Sequence, residues 1–174
     1  MVLRKTCLRK GNRLGMSEVV NLEIGQIAPR FSATDNSGTT YDLAELSGQG
    51  KTVVLYFYPK DSTPGCTKQA CDFRDNMTSM ASADVVVLGV SKDSGKSHDK
   101  FTTKYDLNFP LLLDEDMTIH NAYGTWREKK NYGRTYMGCA RSTFIISPEG
   151  VLTQALYNVK ATGHVARIMK LLEL

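Results

Sequence analysis

The 174-residue chain lacks any apolar run near the length of about 20 residues that a membrane-spanning helix needs. Its longest near-apolar segments, residues 53–58 and 85–90, have the length of strands. A hydrophobic fraction of 41% and a charged fraction of 23% are typical of a globular protein. The chain is long enough for one domain and too short for two. We therefore expect a single domain and no membrane partner.

Cysteine and histidine are scarce and widely spaced. The four cysteines are Cys7, Cys66, Cys71 and Cys139. They are too few for a disulfide scaffold, and no C-x-x-C unit suggests a zinc site. The three histidines are His98, His120 and His164. Because no two are close enough for a ligand pair, we interpret each as a surface or helix-capping residue and expect no metal. The single close cysteine pair suggests a catalytic role in a cytoplasmic protein.

Acidic residues are absent from the first fifteen positions, and the five basic residues there account for more than the whole net charge of +4. The basic residues there are Arg4, Lys5, Arg9, Lys10 and Arg13. Without them the chain has 17 basic and 18 acidic residues. The body of the protein therefore carries no basic surface suited to phosphate, and we expect no nucleic-acid partner.

Two interpretations of the basic tail remain open. It could be a disordered extension over residues 1–16, because the segment beginning at Met16 looks like a natural start. It could instead be a targeting or contact segment. The tail lacks the apolar region of a secretory signal, so export is not expected. The domain itself is predicted to cover residues 17–174.

Hydrophobic periodicity predicts alternating strands and helices. The predicted order is a hairpin at 31–41, a helical turn at 42–46, a strand at 51–58, a helix at 64–80, a strand at 85–90, a helix at 96–105, a strand at 111–113, a helix at 117–123, a loop or extension at 124–138, paired strands at 141–147 and 151–157, and a helix at 162–172. A parallel crossover followed by an antiparallel hairpin predicts an α/β fold of the thioredoxin-like type. Its mixed central sheet would be flanked by helices.

Cys66 falls in the first turn of the helix predicted from residue 64, directly after a buried strand. Thr63 is the candidate N-cap, and Pro64 suits the first helical position. An ordinary thiol is only about 3% thiolate at pH 7, whereas unpaired N–H groups and the helix dipole favour the anion. Because the thiolate is the nucleophile, a reactive cysteine is expected at such a position. A small buried core residue is the alternative.

Cys71 follows five residues later, about 140° around and about 7.5 Å along an ideal helix. The resulting Cα separation of about 8 to 9 Å exceeds the limit of about 7 Å for a disulfide. The two thiols could therefore bond only if the first turns of the helix unwind. A redox enzyme that must first keep its nucleophile reduced and then capture its oxidised form could use this arrangement.

The segment over residues 58–75, YPKDSTPGCTKQACDFRD, resembles the active site of the peroxiredoxins. Pro59, Thr63 and Cys66 fit the family pattern P-x-x-x-T-x-x-C. Cys71 fits the second cysteine of one branch, the bacterioferritin comigratory protein or peroxiredoxin Q group. Further similarity lies in NFPLLLDED at 108–116 and RSTFII at 141–146, and it extends from residue 22 to the C-terminus.

The resemblance implies a thiol peroxidase that reduces hydrogen peroxide and organic hydroperoxides. Cys66 would be the peroxidatic residue and Cys71 the resolving one, joined by an intramolecular disulfide during turnover. Thr63 would bind the peroxide, Arg141 would stabilise the thiolate and the developing oxygen charge, and Pro59 would exclude water. It also implies thioredoxin or a similar dithiol protein as reductant and no metal, haem or flavin. We expect a monomer rather than a dimer.

Several alternatives stay open at this point. Arg141 could be a surface residue at a strand edge, and Thr63 could be only an N-cap. Cys139, where relatives usually carry an aliphatic residue, could be a packing residue or a third thiol that intercepts oxidised Cys66. The enzymatic rival is a disulfide oxidoreductase, which would need a C-x-x-C pair at the helix start. A non-enzymatic rival is a redox sensor or chaperone-like protein that uses its thiols as a switch.

Overall fold

A computed structural model describes residues 19–174 of the chain. The predicted extension over residues 1–16, Cys7 and the start of the predicted domain at residue 17 lie outside the described residues. None of the helices in the described part has the length and apolar composition needed to span a bilayer.

Nine strands and five helices make up the described part of the chain. The strands are β1 (Ser32–Thr34), β2 (Thr40–Asp42), β3 (Thr52–Phe57), β4 (Val85–Ser91), β5 (Leu111–Leu113), β6 (Trp126–Asn131), β7 (Arg134–Cys139), β8 (Ser142–Ile146) and β9 (Leu152–Leu156). The helices are α1 (Leu43–Gly48), α2 (Pro64–Ser82), α3 (Gly95–Tyr105), α4 (Thr118–Tyr123) and α5 (His164–Leu171). Apart from β6 and β7, each corresponds to a predicted element.

The central sheet contains five strands in the order β5-β4-β3-β8-β9. β3 pairs in parallel with β4 and antiparallel with β8, while β5 and β9 form the two edges. β3 is apolar along its length because helices and loops cover both faces of the sheet at its centre. The helix α2 is the crossover between β3 and β4. This confirms the predicted α/β fold with a mixed sheet flanked by helices.

Two layers of buried side chains lie on opposite faces of the sheet. Alternate residues of β3 divide between them, with Val54 and Tyr56 in one layer and Leu55 and Phe57 in the other. The first layer packs against α2, α3 and α5 and includes Cys66. The second includes buried side chains of α1 and α4. The start of α2 therefore packs in the first of these layers, on one face of the sheet.

The N-terminal hairpin and its cap follow the local signals in the sequence. β1 and β2 pair antiparallel across the predicted turn at residues 36–38. In that turn Gly38 has a φ of 86°, which glycine adopts without a steric penalty. The Asp42 side chain accepts a hydrogen bond from the Glu45 backbone N–H at 3.1 Å and so caps α1 as predicted.

The prediction of a loop or extension at residues 124–138 is wrong. β6 and β7 form an antiparallel hairpin there, apart from the main sheet. Its two-residue turn consists of Tyr132 and Gly133, with φ values of 48° and 75°, as in a type I′ turn. Most residues of both strands are exposed or half-buried. Because the hairpin buries no complete face, its sequence has no apolar alternation from which strands could be predicted.

The prediction that the histidines lie at the surface or cap helices is also wrong. His98, His120 and His164 are 0%, 0% and 3% exposed. The ring partners are Asp61 for His98 at 2.7 Å, Asp114 for His120 at 2.6 Å and Thr143 for His164 at 2.7 Å. A buried imidazole is tolerated when its nitrogens are hydrogen-bonded. Tertiary structure supplies these partners, so the spacing of the histidines alone gave no signal of their burial.

Candidate active site

The candidate site lies where β3 ends and α2 begins. Residues 59–63 link the two elements, and Thr63 takes the N-cap position with an extended backbone (φ −82°, ψ 153°). Pro64 is the first helical residue, where its missing N–H costs nothing. Cys66 follows in the first turn and is 1% exposed. Helix and loop therefore place the sulfur beside the unpaired N–H groups of the helix start.

Thr63 occupies the N-cap position, but its hydroxyl does not cap the helix. The hydroxyl donates to the backbone carbonyl of Lys60 at 2.9 Å, within the preceding loop. The prediction that Thr63 takes the N-cap position is therefore confirmed, although its hydroxyl donates within the loop and accepts no hydrogen bond from a helical N–H group. Pro59 is half-buried at the other end of the same loop.

Arg141 brings a positive charge to the sulfur from a distant part of the chain. It directly precedes β8, the antiparallel neighbour of β3. Its Nη2 lies 3.3 Å from the Cys66 Sγ, and its Nη1 donates to the Gln69 Oε1 at 2.5 Å. The side chain is half-buried, unlike a surface arginine at a strand edge. A guanidinium at this distance stabilises negative charge on the sulfur and leaves it nucleophilic.

Gln69 is a site residue that the sequence reasoning missed. It is fully buried, one turn after Cys66 on the same face of α2, and its Oε1 holds the guanidinium of Arg141. A polar residue on the helix face that also carries Cys66, Ala70 and Phe73 was the signal that could have revealed it. Gly65 contributes by its small size, because a Cβ there would lie 3.3 Å from Arg141 Nη2. Gln69 and Gly65 together limit the positions that the Arg141 guanidinium can take.

Cys71 lies on the same unbroken helix as Cys66 and is half-buried. Both thiols are free, as is Cys139. Because α2 is continuous from Pro64 to Ser82, the ideal-helix separation of about 8 to 9 Å applies, and the thiols cannot bond in this conformation. The predicted helix is confirmed, and the structure corresponds to the reduced enzyme.

Cys139 packs in the other core layer, on the opposite face of the sheet from Cys66. Burial raises the pKa of its thiol to about 12, despite the opposing influence of Lys129 and Arg141. Such a thiol is neutral at physiological pH and a poor nucleophile. The surroundings of Cys139 therefore favour the packing interpretation over a third redox thiol.

The wall behind Cys66 is aromatic. Tyr56 belongs to the same core layer and stacks on Phe73 with ring centroids 4.6 Å apart. Burial raises the pKa of Tyr56 well above its usual range, and the nearby Cys66 raises it further, so the phenol stays neutral. Within residues 19–174, no cluster of three or more histidine, cysteine, aspartate or glutamate side chains could hold a metal ion. The chemistry available here is that of a thiolate beside a guanidinium.

Comparison with known proteins identifies the family. Residues 24–155 match the AhpC/TSA family. The chain belongs to this family. It is 47% identical over 150 residues to a putative peroxiredoxin bcp of Coxiella burnetii, covering 86% of this chain and 98% of that protein. It is 46% identical over 154 residues to the peroxiredoxin Bcp of Bacillus subtilis, covering 88% and 97%.

Solved structures agree with this assignment to the peroxiredoxins. The bacterioferritin comigratory protein of Xanthomonas campestris, described in work on its alkyl peroxide reduction activity, matches with a TM-score of 0.77 and 40% identity. That match covers 82% of this chain and 90% of the other. The PrxQ C47S mutant of Xylella fastidiosa matches with a TM-score of 0.83 and 32% identity, covering 88% and 97%. The predicted peroxiredoxin group, thioredoxin-like fold and thiol peroxidase class are confirmed.

Proposed function

We propose that Cys66 is the peroxidatic residue of this peroxiredoxin and that Cys71 resolves its oxidised form. The observation that carries the proposal is the contact of 3.3 Å between Arg141 Nη2 and Cys66 Sγ, in the first turn of α2. Helix N–H groups and a guanidinium both stabilise the thiolate. The substrates are hydrogen peroxide and organic hydroperoxides, and alkyl peroxide reduction is the activity named for the Xanthomonas campestris relative.

In the first step the Cys66 thiolate attacks one peroxide oxygen. A sulfur–oxygen bond forms, the O–O bond breaks, and the other oxygen leaves as water or an alcohol after taking up a proton. Cysteine is thereby oxidised to sulfenic acid and the peroxide is reduced. Arg141 balances the charge as it moves from sulfur to oxygen, the Thr63 hydroxyl accepts a hydrogen bond from the bound peroxide, and Pro59 shields the pocket from water.

In the second step the Cys71 thiol attacks the sulfenic sulfur of Cys66. A disulfide forms and water leaves. Because both cysteines lie on α2, the start of this helix must unwind before their sulfur atoms can meet. A dithiol protein, thioredoxin or one like it, then reduces the disulfide and becomes oxidised in turn.

The cellular compartment and the oligomeric state of this protein can be proposed from the same reaction cycle. The cycle needs reduced thiols and a dithiol reductant, which indicates the cytoplasm as its place of action. Resolution within one helix needs no thiol from a second chain, so a monomer suffices. Sedimentation of the reduced and oxidised protein tests this last point, and a dimer that forms only on oxidation would contradict it.

Peroxide consumption coupled to thioredoxin, thioredoxin reductase and NADPH tests the proposed roles. Cys66→Ser should abolish activity, because the nucleophile is gone. Cys71→Ser should still reduce one equivalent of peroxide, detected as sulfenic acid, but should not turn over with thioredoxin. Cys139→Ala is the matched control and should keep wild-type turnover. If Cys71→Ser turned over fully, another thiol would have to be the resolver.

A further inference from the structure

A buried polar network lies beneath residues 59–63, the active-site loop. Asp61 is at its centre and is 5% exposed. The groups around its carboxylate are Tyr58 Oη at 2.6 Å, Ser97 Oγ at 2.8 Å and His98 Nδ1 at 2.7 Å. The Asp61 backbone N–H also donates to the Asp93 carboxylate at 2.9 Å. One aspartate therefore ties the active-site loop to the first turn of α3 and to the segment after β4.

Both ring nitrogens of His98 face acceptors. Nδ1 lies against the Asp61 carboxylate, and Nε2 lies 3.0 Å from the backbone carbonyl of Leu112 in β5. A carbonyl oxygen cannot donate, and the carboxylate already accepts from two hydroxyl groups. With Asp61 ionised, both nitrogens are satisfied when each carries a proton, so the contacts favour an imidazolium paired with the Asp61 carboxylate.

The charges around the ring support its protonation. The titratable groups near it are Asp61 and Tyr58 on the β3 side, Asp93 after β4, Asp35 in the β1–β2 hairpin, and Asp99 with the exposed Lys96 and Lys100 on α3. Burial opposes the charge on His98. The hydrogen bond and negative charge of Asp61 outweigh burial, helped by the Leu112 carbonyl and Asp93, and raise the pKa of His98 above its ordinary value.

The active-site loop needs such an anchor because its backbone is strained. Ser62, between Asp61 and Thr63, has a φ of 60°. A residue with a Cβ adopts this left-handed conformation only when its surroundings impose it. Asp61 is the residue of the loop with the most buried contacts, so its ion pair with His98 is placed to hold the strained turn.

Resting on the function proposed above, we propose that His98 is a positioning residue for the peroxidatic site. Its imidazolium holds Asp61, and Asp61 holds the active-site loop in the conformation that presents Thr63 and Pro59 to the peroxide at Cys66. His98 itself is fully buried, and its ring nitrogens contact Asp61 and the Leu112 carbonyl rather than the Cys66 sulfur. It acts only through the geometry of the loop.

The His98–Asp61 ion pair should make the rate of the peroxide reaction depend on pH, because His98 loses its proton as the pH rises. A histidine whose pKa is raised in the folded state contributes stability that is complete below its ordinary pKa. That contribution is lost as the pH rises through the raised pKa. The peroxide reaction should therefore slow down as the pH rises through the raised pKa of His98, because His98 then loses its proton and releases the loop.

The test measures two rates for wild type and His98→Gln over a pH range from about 5 to 10. Reaction with hydrogen peroxide, followed by rapid mixing, should fall about tenfold or more in the variant, because a misplaced loop loses the alignment of the peroxide. The decrease in the peroxide rate at high pH, the alkaline decline, should be absent from this variant, because His98, the group that titrates, has been removed. Alkylation of Cys66 by iodoacetamide should keep its pH profile, because Arg141 still faces the sulfur. Asp61→Asn should behave in the same way and serves if His98→Gln does not fold.

His120→Gln is the matched control. His120 is equally buried and pairs with Asp114 through Nδ1 at 2.6 Å, but it lies in the second core layer near Phe57 and Trp126. This variant should keep the wild-type peroxide rate and the alkaline decline. Equal losses in His98→Gln and His120→Gln, or a wild-type pH profile in His98→Gln, would overturn the proposal.

The protonation of His98 can be measured independently of activity. A ¹H–¹⁵N spectrum of the wild-type imidazole rings at pH 7 should show protons on both nitrogens of His98. A neutral ring would overturn the ion pair. Failure of the wild-type protein to react with peroxide would instead overturn the proposed function, and the spectrum would still decide the state of His98.

Discussion

At the scale of single residues, the site depends on one contact between distant parts of the chain. Arg141 and Cys66 are 75 positions apart, and their side chains meet because β8 is paired with β3, which leads into α2. Gln69, which also lies in α2, accepts a hydrogen bond from the Nη1 of Arg141. The Cys66 sulfur and the Arg141 guanidinium are thus already in contact in the folded protein, and under the proposed function this limits the reorganisation needed during the reaction.

Removal of the guanidinium should slow peroxide attack. We expect Arg141→Ala to lower the rate constant by about 100-fold or more, the loss typical for one donor to a developing oxygen charge. The pH at which iodoacetamide alkylation of Cys66 is half-maximal should move upward, because the thiolate loses its nearest positive charge. Both rates are measured by rapid mixing.

Arg127→Ala is the control for this substitution. Arg127 is half-buried like Arg141, but its guanidinium stacks on Tyr157 and its Nε donates to the Gly124 carbonyl. It should leave both rates unchanged. An unaltered alkylation profile in Arg141→Ala would show that the arginine does not stabilise the thiolate.

At the scale of elements, α2 has two parts with different anchors. Its first turns carry Cys66 and Cys71 and contact Arg141 through Cys66 and Gln69, whereas the later part is tied to α3 and the following segment through Arg74. Arg74 Nη1 donates to the Tyr105 carbonyl at 2.6 Å, and the Arg74 carbonyl accepts from Asn108 Nδ2 at 3.3 Å. Unwinding from the N-terminus is therefore expected to stop before Arg74.

Amide hydrogen exchange tests this division of α2. On oxidation with one equivalent of peroxide, residues 66–72 should lose protection, whereas residues 76–82 should keep it. The early turns have few hydrogen bonds to lose and belong to the less stable part of the fold. Oxidised Cys71→Ser should keep protection throughout, because no disulfide can form. Equal protection in both states of wild type, with the Cys66–Cys71 bond confirmed by mass spectrometry, would disprove local unwinding.

At the scale of the whole molecule, buried histidines make stability depend on pH in both directions. His98 favours the folded state most when charged. His164, in contrast, favours the folded state most when its ring is neutral. It is the first residue of α5, and its ring is hydrogen-bonded to Thr143 of β8. Burial first, then the nearby Arg167 and Arg141, lower the pKa of His164 to about 4.

His164 should weaken the fold in mild acid. Its pKa is 6.5 in the unfolded chain and about 4 in the folded protein, so the unfolded state takes up a proton first. The free energy of unfolding should fall by about 3 kcal/mol from this residue alone as the pH drops through that window. Urea denaturation between these pH values should show a shallower fall for His164→Gln. Parallel curves for variant and wild type would contradict the assignment.

Local chemistry made the helices, the buried strands and the position of Cys66 at a helix start predictable from the sequence. The start of α2 is marked by Thr63 and Pro64, and the apolar stripe of α2 has the period of a helix packed on one side. The Cys66–Cys71 spacing excludes a disulfide in any intact helix. Such features depend on residues within a few turns of one another, which a sequence displays directly.

Only the tertiary structure decided which distant residues meet. The pairing of β3 with β8 brings Arg141 to Cys66, and the approach of α3 to the active-site loop brings His98 to Asp61. The β6–β7 hairpin escaped prediction because its faces are largely exposed. The sequence thus determined the family and the helix that carries Cys66, the proposed nucleophile. Sheet pairing determined the electrostatics, because charges far apart in the chain interact only after the fold has brought them within a few ångströms.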